Sequence, residues 1–215
     1  MSLEDAYLDL KYLLNRGYRK KSALEFVANH YRLGEGERHL LARCVFPDSW
    51  IKEIRRKLLR PGELRGRELA VDGFNVLITT ESLFEGKAIL CEDGLVRDLK
   101  YQGKYRVSGR TGQVVKTVLE GLAELEVGKA VFFYGKNIPR SGLVKKLTEE
   151  KMAELGLNGD VILVRSPDFE LKSFENVATA DVGIISKVSR VFDIPLYLSG
   201  KIRGAVDFRE LIFTL

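Results

Sequence analysis

Histidine, cysteine and glutamine are scarce in this chain: His30, His39, Cys44, Cys91, Gln102 and Gln113 are all it has. Two thiols form at most one bridge, and neither has a second cysteine at metal-ligand spacing. That argues against a zinc site, and free thiols in a reducing compartment are expected. Two histidines give a Ser-His-Asp triad little to build on. The near-absence of glutamine beside abundant Lys, Arg and Glu leans towards a heat-adapted composition. No strand-like segment is followed by GxGxxG or GxxxxGK[ST], so the usual phosphate loops are missing. Nor does any apolar run reach the roughly 18–20 residues that cross a bilayer. The opening MSLEDAYLDLKYLL has acids and tyrosines where a signal peptide has a basic start and a plain apolar core. A soluble, cytoplasmic protein without a membrane partner is expected.

What is present is a globular balance over 215 residues, 45% hydrophobic and 30% charged. The net charge of +5 is unevenly spread. Residues 1–67 hold 15 Lys+Arg against 9 Asp+Glu; the remainder hold 20 against 21. A basic module joined to a near-neutral one points to an anionic partner for the first, with solvated basic faces as the plainer alternative. In that module, Leu3, Ala6, Tyr7, Leu10, Leu13 and Leu14 recur at helical spacing, and Gly17 offers a stop. Ser22 and Glu25 fit a capping box opening a second helix. A third short helix carries Leu40, Leu41 and Cys44. A fourth turns Ile51, Ile54 and Leu58 inward and Lys52, Arg55, Arg56 and Arg60 outward. Arg60-Pro61-Gly62-Glu63 reads as a linker, giving a basic helical domain over 1–62 and a second domain over 68–215.

From Leu69 onward the pattern alternates short β-rich runs with amphipathic stretches. Runs at 69–71, 130–134, 161–164 and 196–198 imply an α/β domain with a mainly parallel sheet covered on both faces. The segment 87–107 breaks that rhythm, and Glu92-Asp93-Gly94 reads as a hairpin turn. Functional groups of open α/β sheets gather beyond the carboxyl ends of strands. Those positions hold Asp72 and Asn75 after the first run, then Lys136, Asn137, Arg140 and Ser141 after the second. Arg165, Ser166 and Asp168 follow the third, and Ser199, Gly200 and Lys201 the fourth. Acid, amide, hydroxyl and cation together suit a phosphate-bearing substrate beside a metal. Asp181 is expected at the start of the last long helix, on the stripe shared with Ile185, Val188 and Phe192. There a buried charge needs a partner, such as a Mg²⁺ or Mn²⁺ shared with Asp72. Phe74 reads as core, with base stacking as the alternative, and the Ser108–Gly112 turn as an ordinary helix start.

VDGFNVLI closing a strand, with ATADVGII opening a later helix, resembles the PIN and NYN-like nuclease domains. Asp9-Leu10, Asn15-Arg16-Gly17-Tyr18 and Glu37-Arg38 extend the likeness over nearly the whole chain. The chain resembles an uncharacterised prokaryotic family that joins a DUF434-type N-terminal domain to a PIN/NYN-like, DUF5616-type domain. The resemblance implies a three-layer α/β/α fold and a metal-dependent nuclease, with RNA ahead of DNA as substrate. It implies Asp72, Asn75 and Asp181 as catalytic residues, and Asp72 and Asp181 as metal ligands. The further acid that many such nucleases carry after the fourth strand is replaced by Gly200-Lys201, which leaves Asp93, Asp98, Asp168 and Asp207 as substitutes, with Asp93 as the third metal ligand. Lys136, Arg140, Ser141 and Lys201 would bind substrate phosphates. A non-catalytic RNA- or DNA-binding protein on a degenerate PIN-like fold is the alternative, and a phosphometabolite enzyme a weaker third.

Overall fold

A computed structural model describes residues 2–99 and 105–213. Four helices come first: α1 (Leu3–Asn15), α2 (Lys20–His30), α3 (Glu35–Cys44) and α4 (Asp48–Lys57). Ser2 caps α1 through a reciprocal box with Asp5, and Gly17, at φ +85°, turns the chain after it. The expected Ser22–Glu25 box is not used: α2 starts two residues earlier at Lys20, behind Arg19, with no side-chain cap. The α/β part runs β1 (Glu68–Asp72), α5 (Gly73–Phe84), β2 (Ala88–Leu90), β3 (Val96–Asp98), α6 (Thr111–Glu124), β4 (Lys129–Gly135) and α7 (Ser141–Glu154). It continues through β5 (Gly159–Val164), α8 (Pro167–Leu171), β6 (Asn176–Ala178), α9 (Val182–Ile185), β7 (Arg190–Val191), α10 (Ile194–Ser199), β8 (Val206–Asp207) and α11 (Phe208–Phe213).

Five strands form one parallel sheet in the order β5-β4-β1-β6-β7. Alternation along the strands divides the core into two layers. Leu69, Val71, Phe132 and Tyr134 face α5, α6, α7 and α10 through Leu77, Val118, Val144 and Leu198. Ala70, Val131, Phe133 and Val177 face the other way, under Leu171 of α8, Ile184 and Ile185 of α9, and Ile54 of α4. The architecture is therefore α/β with both faces covered, as expected, but α4 of the helical module supplies part of one cover. The Lys57 ammonium donates to the Ile185 carbonyl at 3.1 Å, and the Leu59 amide to that of Val191 at 2.8 Å.

The hairpin expected over 87–107 is β2–β3, with Gly94 at φ +88° in its turn; residues 100–104 lie outside the described residues. It joins β8 in a small second sheet. Ile89, Cys91, Phe208 and Ile212 then share a core with Leu10, Leu14, Val27 and Leu41 of the helical module. Packing thus runs across the 62/68 boundary in both directions.

Two expectations fail at the end of the sheet. The run 196–198 is not a strand but lies in α10, because Asp193 caps a helix there by accepting the Leu196 amide at 2.9 Å, with Pro195 in its first turn. The long helix expected from Asp181 to Phe192 is the four-residue α9 followed by β7.

The step from β1 into α5 leaves no loop residue between them, and Gly73 makes that possible. A Cβ there would stand 2.2 Å from the Tyr134 ring, which is fully buried and tied by its hydroxyl to that of Thr148 at 3.0 Å. Gly73→Ala is expected to cost about 1–3 kcal/mol in chemical denaturation, since that ring cannot swing away. A cost near zero would show the packing to be looser than described.

Candidate active site

The strand order places a switch point beside β1. Successive connections move outward through β4 to β5, then the chain crosses to β6 on the other side. Adjacent loops leave in opposite directions there, opening a crevice at the carboxyl ends of β1 and β6. Asp72 ends β1, and Thr179, Ala180 and Asp181 follow β6 directly.

These residues form one hydrogen-bonded group. The Thr179 hydroxyl donates to Asp72 Oδ2 at 2.9 Å and accepts the Asp181 amide at 3.1 Å. The Asn75 side-chain oxygen, one turn into α5, accepts the Ala180 amide at 2.9 Å. Asn75 therefore fixes the β6–α9 loop against Asp72. Asp181 is exposed and is not on the apolar stripe expected of it. Its Oδ1 caps α9, accepting the amides of Gly183 at 2.7 Å and Ile184 at 3.1 Å. Its position outside the first turn, not inside it, turns it to solvent.

Burial is the largest influence on Asp72 and pushes its carboxyl up to about 7. The Thr179 hydroxyl and the Asn75 backbone amide pull the other way, while the charges of Asp181 and Asp168 add to the rise. Asp168 lies in the first turn of α8, after β5, and is exposed. No described lysine or arginine pairs with Asp72, Asp168 or Asp181. Among the described residues, however, no three His, Cys, Asp or Glu side chains stand close enough to cage a metal ion.

Lys136 and Arg140 lie beyond β4 at this same edge, exposed and outside any described ion pair. Arg140 adopts φ +63°, an uncommon backbone for a non-glycine residue. Ser141 opens α7 and is buried. Lys201 belongs elsewhere. It pairs with Glu124 at the end of α6, from which the chain enters β4, so it sits at the amino ends of the strands.

Asp93 is not a free ligand either. Fully buried, it takes two bonds of 2.7 Å from the Arg97 guanidinium and one of 3.2 Å from Trp50 Nε1. Asp98 lies 3.8 Å from Arg43, and Asp207 accepts the Arg209 amide. Phe74 is core, packed against Tyr105 and Tyr134. In the 108–112 turn, Thr111 Oγ1 accepts the Ser108 amide.

Two contributors were missed from sequence. Thr179 bridges the two acids; a hydroxyl directly after a strand, inside the quoted ATAD run, was its only signal. Arg97 reaches past Asp93 to donate to the Ala180 carbonyl at 3.1 Å, steadying the loop that carries Asp181. Nothing in the sequence marks it as buried.

Residues 61–197 match the domain of unknown function DUF5616, nearly two thirds of the chain and every residue from Asp72 to Asp181. The chain belongs to the DUF5616 family. Residues 2–57 match the protein of unknown function DUF434, the helical module. An uncharacterised protein of Methanocaldococcus jannaschii is 41% identical over 187 residues, 86% of this chain and 89% of that relative. No solved structure matches.

The elevated Asp72 carboxyl carries a stability signature in this DUF5616 domain. Between its ordinary value of 3.8 and about 7 the folded chain keeps a proton that the unfolded chain has released. This contribution therefore falls as pH rises through that window and is level above it. Asp72→Asn is expected to raise the melting temperature by a few degrees at pH 8, and the gain should vanish near pH 4. Equal melting of both proteins at pH 8 would refute the burial assigned to Asp72.

Proposed function

We propose that this protein is a divalent-metal-dependent nuclease acting on single-stranded nucleic acid, RNA ahead of DNA. The single observation carrying the reading is the half-buried Asp72 at the switch point, its carboxyl raised further by the charges of Asp181 and Asp168, with no described lysine or arginine paired to it. Like charges that raise one another's energy make a poor structural device and a good trap for a cation. The donors are hard carboxylate oxygens with Asp181 Oδ2 left over, a set that fits Mg²⁺ or Mn²⁺. Mg²⁺ usually takes one or two carboxylates plus water and substrate phosphate, so Asp72 and Asp181 suffice without a three-acid cage. When bound, the ion would lower the pKa of a coordinated water and polarise the phosphodiester.

The chain's own residues divide the remaining tasks. Thr179 and Asn75 hold Asp72 and the Asp181 loop in register. Lys136 and Arg140, with Arg165 after β5, give the edge the positive charge that a phosphate backbone requires. Phe169, 73% exposed beside Asp168, offers an aromatic face on which an unpaired base can stack; Phe74, being core, does not. The PIN/NYN-like resemblance of VDGFN supports the same assignment. That no three-acid cage stands among the described residues favours the second reading, a non-catalytic nucleic-acid binder, for which affinity would fall steeply with salt while no strand is cut.

The test is incubation of purified protein with end-labelled single-stranded RNA and DNA in Mg²⁺ or Mn²⁺. Cleavage is expected, with Asp72→Asn at least about 100-fold slower and chelator abolishing activity. No cleavage, or an unchanged rate in Asp72→Asn, would overturn the nuclease reading; salt-dependent binding without cleavage would establish the second.

A further inference from the structure

The two cysteines, 47 positions apart in sequence, meet inside the molecule. Cys91 Sγ lies 2.9 Å from Cys44 Sγ, closer than two thiols in ordinary contact and approaching the roughly 2.05 Å of a covalent bond. One sulfur ends α3 in the helical module; the other follows β2 of the α/β domain. Both are buried in the core shared by the two parts.

Hydrogen bonds on either side hold the sulfurs in register. The Glu92 amide donates to the Cys44 carbonyl at 3.3 Å. The Glu92 carboxylate accepts the Phe46 amide at 2.9 Å, the Lys11 ammonium at 3.1 Å and the Tyr7 hydroxyl at 2.7 Å. Segments 44–46 and 91–92 are thus clamped together independently of the thiols.

Two cations stand beside the pair. The Arg97 guanidinium reaches Cys91 while held by Asp93, and Lys20 lies alongside with its ammonium 3.8 Å over the Phe46 ring. The contact with Cys44 and the charge of Arg97 bring the Cys91 thiol below its ordinary value despite burial, whereas the Cys44 thiol is pushed up. Burial, more than the charge of Arg97, brings the Lys20 ammonium down to about 8. An asymmetric pair of one thiol made more acidic and one proton-bearing neighbour suits stepwise oxidation.

We infer that Cys44 and Cys91 form an oxidisable dithiol, converted by a hydroperoxide into a disulfide that fastens the helical module to the α/β domain. The Cys91 thiol gives up its proton to solvent and the thiolate attacks one peroxide oxygen; the O–O bond breaks, Cys91 becomes a sulfenic acid, and the departing hydroxide takes a proton from solvent and leaves as water (an organic hydroperoxide releases its alcohol instead). The Cys44 sulfur then attacks Cys91, the S–S bond forms, and the hydroxyl departs with the Cys44 proton as a second water. The two sulfurs together lose two electrons and the peroxide gains them.

Reduced full-length protein is treated with hydrogen peroxide, quenched, and compared with untreated protein. The expected product is monomeric, lighter by two hydrogens, has no alkylatable thiol after denaturation, and melts about 5–10 °C above the reduced form. Cys44→Ser and Cys91→Ala should each show neither the mass loss nor the rise in melting temperature, and one folded variant is enough for the comparison. Two alkylatable thiols after treatment, intermolecular dimers alone, or oxygen adducts on cysteine in place of the lost hydrogens would each overturn the inference.

Discussion

The arrangement of this molecule turns on a carboxyl group with no described cationic partner at the end of a central parallel strand. Asp72 is placed where β1 and β6 diverge, under two hydrogen-bond donors that are not charged and near two acids that raise its energy further. A fold selected for stability alone would put an asparagine or a lysine partner there. Instead, neighbouring parts of the chain hold the carboxyl in place. Gly73 admits α5 directly behind it, Thr179 bridges to Asp181, and Asn75 pins the loop after β6.

The helical module supports this edge from behind. Its last helix covers part of the sheet, and the hairpin opposite it supplies the buried Arg97–Asp93 pair. Removing one partner of such a pair typically costs about 3–5 kcal/mol, because the other charge is then stranded. Arg97 spends a third donor on the Ala180 carbonyl, so the loop bearing Asp181 is anchored to the same charge that faces the two sulfurs. The basic outer face of α4 leaves Lys52, Arg55 and Arg56 exposed. The DUF434 and DUF5616 parts are two sequence families sharing one packed interior.

The legible parts of the sequence were those with length and period. Helices α1, α3 and α4, strands β1, β4 and β5, and the Gly94 turn all declared themselves through apolar spacing or glycine. Strands β6 and β7 did not, because three and two residues are too few to show alternation, and the apolar run 196–198 reads as a strand when Asp193 and Pro195 are overlooked as a helix start. Those two errors moved Lys201 to the wrong edge and set Asp181 on a buried stripe. Asp72 and Asn75 were legible because they end the strongest strand and open its helix. Asp93 was misread for a physical reason: a turn acid looks exposed in sequence, and nothing local shows that Arg97 folds over it.

The titration of one group bears most directly on this site. Carbon-13 carboxyl NMR of Asp72 without divalent ions should give a midpoint near 7, and saturating Mg²⁺ should lower it by about one unit or more as the ion competes with the proton. A midpoint near the ordinary 3.8, indifferent to Mg²⁺, would contradict both the burial and the cation site proposed for it.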